Sequence, residues 1–262
     1  MKRIESRDNP LVKRLRKLAL GHAARDENLA LLEGDHLVRA WLEAGHTCEH
    51  VLVSDAGVHR PDVVQCMDAA RARHINVIAV PDPVMRHLSS LDSAPPIIAT
   101  VIPPSKSVSD LQGQDCVVLD GVQDPGNVGA ILRTAAAAGV TGVLAGRGCA
   151  SLWSPKVLRA GMGAHAVLAL VEVNDLVADI QRLRVPLIGT TIDAASSLYR
   201  VDLKPPCAWI FGHEGHGISD EIKQILQQRV RIPHETRIES INVAAAVAVC
   251  LFEMRRQRGL IN

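Results

Sequence analysis

Residues 209–219 read Trp209-Ile210-Phe211-Gly212-His213-Glu214-Gly215-His216-Gly217-Ile218-Ser219. An apolar run at 208–211 stops at three glycines within six residues, and Ser219, followed by Asp220 and Glu221, then opens a helix. Glycines at such a turn permit positive φ and let a ligand approach the backbone closely. A strand that feeds a helix through a turn of this kind is the unit of a parallel α/β sheet, whose ligands sit beyond the carboxyl ends of the strands. Apolar runs at 117–119, 142–144, 167–171, 187–190 and 230–232 repeat the unit. Being apolar almost without interruption, they predict strands covered on both faces.

Two further turns carry unusual chemistry. The first runs through Asp124-Pro125-Gly126-Asn127-Val128-Gly129-Ala130-Ile131-Leu132-Arg133-Thr134-Ala135, where Asn127 sits at a helix start and Gly139 is the expected stop. N-capping is the structural role for Asn127. The small residues beside Arg133 predict that its helix lies close to another surface. The second turn runs from Arg231-Ile232-Pro233 to Ser240-Ile241-Asn242, ahead of the apolar stretch 243–252. Ser240 or Asn242 can cap that helix, which accounts for one of them and not both. All-round apolarity predicts a buried helix packed on small residues, against the rest of the chain or a second copy. Glu214 has no evident capping work in its turn. His213 and His216 have metal-ligand spacing, but no third ligand accompanies them, and no metal is expected.

The upstream half alternates on a smaller scale. Runs at 29–33, 51–54, 77–80 and 97–102 read as strands, with helices over 35–44, 61–73 and 83–91 between them. Pro103 and Pro104 break the pattern, which gives a small α/β domain over 1–104, a linker over 105–114 and the second domain over 115–262. Ahead of the first strand, Asn9-Pro10 starts a helix with Leu11, Leu15 and Leu18 at helical spacing. Residues 1–25 hold Lys2, Arg3, Arg7, Lys13, Arg14, Arg16, Lys17 and Arg25 against only Glu5 and Asp8, so this helix can lie along a phosphate backbone.

Composition narrows the class. Of 262 residues, 47% are hydrophobic, which disfavours disorder. Only six are aromatic, which argues against a sheet that stacks bases on aromatic side chains. Six scattered cysteines without a C-x-x-C pair suit reduced thiols in a cytoplasmic protein, and the longest apolar run, ten residues, is too short to span a bilayer.

The three motifs, 124–135, 211–217 and 232–243, resemble in order and spacing those of the SpoU/TrmH family, RNA ribose 2′-O-methyltransferases of the SPOUT class. The first half is similar, more weakly and mainly around 31–38, to that family's ribosomal-protein-like substrate-recognition domain. The resemblance implies an α/β fold with a small RNA-recognition domain and a parallel-sheet domain holding a deep trefoil knot, an exception to unknotted topology. It implies S-adenosylmethionine bound bent in the knot, contacts falling on Thr190, Gly212, Gly217, Ile232, Ser240 and Ile241. Catalytic positions fall on Asn127, Arg133, Glu214, Ser240 and Asn242. The implied partners are rRNA or tRNA, met by Arg7, Lys13, Arg14, Lys17 and Arg133, and a second copy of the chain, with active sites at the interface. Thr236 stands where the third motif usually has glycine, and Ile241 replaces the usual leucine, a volume-conserving change. Two other readings stay open: a catalytically silent RNA-binding protein of the same fold, and methylation of a base. A dinucleotide-binding reading rests on Gly146-Arg147-Gly148 and fails at Ser151, where that motif needs glycine.

Overall fold

The computed structural model describes residues 1–21, 28–235 and 237–260 and divides into two compact units, so Arg25 and Thr236 lie outside the described residues. The first unit comprises Met1–Pro104 with Trp153–Ala166. Its strands β1 (Lys2–Arg3), β2 (Ala30–Glu33), β3 (His50–Ser54), β4 (Asn76–Val80) and β5 (Ile97–Val101) form one sheet in the order β1-β4-β3-β5-β2. The pairs involving β5 are antiparallel and the others parallel.

Period-two alternation along these strands builds two cores. Val51, Val53, Ile97 and Ala99 face α2 (Asp35–Glu43) and α3 (Pro61–Ala72), which contribute Val38, Trp41, Val63 and Met67. Leu52, Ile78 and Ile98 face α1 (Pro10–Ala19) and α4 (Asp82–Leu88), which contribute Val12, Leu15, Leu18 and Met85. Asn9 caps α1, its side chain accepting from the N–H of Leu11 at 2.9 Å, with Pro10 in the first turn.

The sequence reading assigns 153–166 to the second domain, yet this segment, with α6 (Pro155–Gly161), packs into the first unit. Leu158 and Ala166 join the α2–α3 core, and Trp153 meets Trp41 edge to face with ring centroids 6.0 Å apart. Arg159 Nη1 lies 2.8 Å from Glu33 Oε2, whose side chain is only 1% exposed. Ser89 Oγ and the N–H of Ser90 also donate to that carboxylate.

The second unit, Ser105–Leu152 with Val167–Asn262, carries a fully parallel sheet. Its strands are β6 (Cys116–Asp120), β7 (Gly142–Ala145), β8 (Ala169–Glu172), β9 (Leu187–Thr190), β10 (Ser196–Ser197), β11 (Ala208–Gly212) and β12 (Gln228–Arg231), in the order β10-β12-β9-β11-β6-β7-β8. Val118, Leu144 and Ile210 face α7 (Leu176–Gln181) and α8 (Asp220–Ile225) through Ile180 and Ile222. The opposite face is covered by α5 (Pro125–Ala138) and α9 (Val243–Gln257), which pack on each other.

Residues 105–114 are no plain linker. They hold a 3₁₀ turn, Val108–Leu111, closed by a Ser107–Asp110 capping box, and Leu111 is fully buried. Nor is α9 buried all round. Val247, Cys250 and Leu251 are inside, while Ala245 is exposed and Phe252 is 43% exposed. Small side chains allow α9 to sit close to α5 on one face without closing the other. Among the described residues no helix is long and apolar enough to cross a membrane. The cysteines are free, and burial pushes the Cys116 and Cys207 thiols up to about 12.

Candidate active site

The sheet order reverses at β6. The strands β7 and β8 continue on one side, whereas β11, β9 and β12 lie on the other. A crevice forms beyond the carboxyl ends of strands at such a switch. On one side of that switch, beyond the ends of β9, β11 and β12, lies a cavity of about 920 Å³, lined by the loops after β9 (190–193), β11 (212–217) and β12 (232–234), and by 238–243 at the start of α9. Thr190, Gly212, Gly217, Ile232, Ser240 and Ile241, the six positions singled out for a cofactor, all line it.

Two glycines shape this space. A side chain at Gly212 would lie 2.1 Å from the carbonyl carbon of Gly217, because the turn folds straight back over it with His213 and Gly217 exchanging backbone hydrogen bonds. Gly217 closes the turn at φ +68°. Phe211, Ile218, Ile232 and Ile241 bring apolar side chains to its walls, and Gly212, Gly215 and Gly217 add positions where no side chain covers the main chain. Such a lining fits S-adenosylmethionine, whose purine needs apolar surfaces and whose base edge needs backbone donors and acceptors.

At one end of the cavity three side chains form a directed chain. Asn242 caps α9, its Oδ1 accepting from the N–H groups of Ala244 (2.9 Å) and Ala245 (3.3 Å). That fixes its amide, so Nδ2 donates to Asn127 Oδ1 at 3.0 Å. Asn127 in turn donates from Nδ2 to Glu214 Oε1 at 3.0 Å. Glu214 also accepts from the N–H groups of Gln123 (3.3 Å) and Asp124 (3.2 Å). Burial pushes the Glu214 carboxyl up, but the Asn127 donor and these peptide donors outweigh it and hold it below its ordinary value. It is therefore an ionised anchor between two turns.

Several expectations need correcting. Asn127 is not the cap of α5. Asp124 is, accepting from the N–H of Asn127 at 2.8 Å, which frees the Asn127 amide for the chain just described. Glu214 does have capping work, on the peptides of 123 and 124. Of the two candidates for capping α9, Asn242 does it, and Ser240 lines the cavity instead.

Arg133 is exposed, does not line the cavity, and has no hydrogen bond or ion pair among the described residues. It stands six positions beyond Asn127, ~9 Å farther along the helix. On α1, Lys17 is exposed, Lys13 pairs with Asp8 at 2.8 Å, and Arg14 is exposed. Arg7 donates to the carbonyl of Pro83 at 3.3 Å.

The sequence reading also missed Asp120, whose carboxylate accepts from the N–H of Ser219 at 2.7 Å and ties the end of β6 to the start of α8. It missed the Asp124 cap, although an aspartate directly before a proline is a recognisable helix start.

Residues 115–252 match the SpoU rRNA Methylase family, and residues 9–99 match the MRM3-like substrate binding domain. A Synechocystis protein described as an uncharacterized tRNA/rRNA methyltransferase is 33% identical over 265 residues, which cover 97% of this chain and 94% of that one. The 23S rRNA (guanosine-2'-O-)-methyltransferase RlmB of Bordetella pertussis is 41% identical over 145 residues, 54% of this chain and 59% of its own length. The AdoMet-bound rRNA methyltransferase from Sinorhizobium meliloti has a similar structure, with TM-score 0.88 at 27% identity, covering 100% of this chain and 99% of that one. One family match thus spans every strand of the second sheet and all three loops around its cavity, and the chain belongs to the SpoU rRNA methylase family.

Proposed function

We propose that the chain transfers a methyl group from S-adenosylmethionine to a ribose 2′-hydroxyl of ribosomal RNA. The observation that carries this reading is the Asn242–Asn127–Glu214 chain at the end of a glycine-lined cavity. When bound, S-adenosylmethionine supplies a methyl group activated by its sulfonium. The loops after β9, β11 and β12 hold it through backbone groups, with Thr190, Gly212, Gly217, Ile232, Ser240 and Ile241 as contacts. We read the threading of these loops as a trefoil knot.

Displacement at the methyl carbon is in line, so the protein's work is alignment and handling of the hydroxyl proton. Alignment alone supplies ~7–11 kcal/mol of a barrier in favourable cases. Asn127, Glu214 and Asn242 fix the acceptor end, with Ser240 beside them. Arg133 stabilises the developing alkoxide as a fixed cation. A guanidinium does not give up its proton in proteins, so phosphate or water accepts the hydroxyl proton.

Arg133 is absent from its own chain's cavity, and α9 leaves Phe252 exposed. Both features support a homodimer in which Arg133 serves the cavity of the second copy. Residues 1–104 then recognise RNA, with Arg7 just ahead of α1 and Lys13, Arg14 and Lys17 along it meeting phosphates, and binding weakens as salt rises. Folded loops with splayed bases suit such recognition better than a regular duplex.

The test is methylation of deproteinised rRNA with isotopically labelled cofactor, followed by digestion to nucleosides and mass spectrometry. The label is expected on ribose. Label on a base, or none, overturns the reading.

A further inference from the structure

The turn that carries Glu214 holds two imidazoles that neither the hydrogen-bond chain nor the glycine cradle uses. The rings of His213 and His216 stack with centroids 4.7 Å apart and planes 28° from parallel. His213 Nδ1 accepts from the N–H groups of Gly215 (2.8 Å) and His216 (3.3 Å). The neutral ring therefore carries its proton on Nε2 and is clamped over its own turn. His216 lies against that fixed ring, is exposed, and makes no side-chain hydrogen bond among the described residues. Both rings line the cavity.

Few other groups here present a flat π face. Of the chain's six aromatic residues only Phe211 lines the cavity, and it is buried; a third imidazole there, His234, is tied through Nδ1 to the carbonyl of Ile232 at 2.8 Å. An imidazole can stack on a nucleobase as other aromatic rings do. A ring already resting on a clamped neighbour also loses little freedom when a base is added. Glu214 lies between the two histidines in sequence, so a ribose seated at the Asn242–Asn127–Glu214 chain lies beside the turn that holds them.

We propose that the His213–His216 pair is a stacking shelf for the base of the nucleotide whose ribose is methylated, with His216 as the face the base meets. The proposal rests on the functional reading above. It makes His216 a positioning residue that acts on RNA affinity rather than on the chemical step.

The test compares full-length wild type, His216→Ala and His216→Phe with deproteinised 23S rRNA as substrate, alongside calorimetric titration of S-adenosylmethionine. His216→Ala is expected to raise KM for the RNA roughly tenfold, as loss of one base–aromatic stack does. Turnover at saturating RNA and saturating cofactor stays at the wild-type level, and His216→Phe restores KM. An unchanged KM, a loss confined to cofactor affinity, or failure of phenylalanine to restore KM overturns the shelf. Active wild type with an indifferent His216→Ala removes the shelf alone. Wild type that labels no ribose removes the functional reading and the shelf with it.

Discussion

Asn242 does two jobs with one amide, and the two can be separated. Its Oδ1 caps α9 and its Nδ2 orients Asn127. Asn242→Asp keeps a good cap but turns the donor into an acceptor facing Asn127 Oδ1. Turnover is expected to fall at least ~100-fold, in line with other lost active-site hydrogen bonds, while the thermal midpoint barely moves; equal turnover would mean the chain is only a cap. Glu214 makes a prediction about pH. Its carboxyl is held below its ordinary value, so the stabilisation it lends the folded loops is fully present above the ordinary carboxylate range. That stabilisation is lost as pH falls through the lowered folded value. Melting curves of wild type and Glu214→Gln should therefore converge on acidification, and parallel curves across that range would refute the anchor role. At this scale the sequence reading names the three side chains that the structure links by hydrogen bonds, and misassigns the local structural work of Asn127 and Glu214. Asn127 looks like a cap because it has a cap's chemistry near a helix start, and only the position of Asp124 three residues earlier releases it.

Among elements, the buried strands are legible because full burial requires uninterrupted apolar runs, and 187–190 coincides with β9 as observed. The two-residue strands β1 and β10 are not, since two residues carry no period. The excursion 153–166 is equally opaque. Trp153 and Leu158 show that the segment is apolar, not which sheet it joins. Its tie is the Arg159–Glu33 pair, with a carboxylate that is almost wholly buried. Arg159→Ala leaves that charge without its counter-ion, held by Ser89 and Ser90, and is expected to cost ~3 kcal/mol of stability, toward the low end for a broken buried pair because Arg159 is itself partly exposed. Urea unfolding measures it, and recovery of part of the loss on adding Glu33→Gln distinguishes charge burial from lost packing. A loss below ~1 kcal/mol would place the pair among ordinary surface bridges.

For the whole molecule, order and spacing of three motifs along the chain were readable, while the position of Arg133 outside its own chain's cavity was not, because helical spacing fixes a residue's face and not the surface that face meets. Mixing the inactive variants Arg133→Ala and Glu214→Ala tests that arrangement. If Arg133 serves the other copy's cavity, random redimerisation assembles about a quarter of the sites intact, and no recovery confines Arg133 to its own chain. Beneath this lies the simpler claim that the cavity under the folded-back turn holds the methyl donor through its backbone. Calorimetric titration of S-adenosylmethionine into wild type and Gly212→Ala addresses it most directly. Wild type should bind one molecule per chain, and the variant, whose added carbon would lie 2.1 Å from Gly217, should show no binding heat while remaining folded. Equal binding by the two proteins, or no binding by wild type, would contradict the claim.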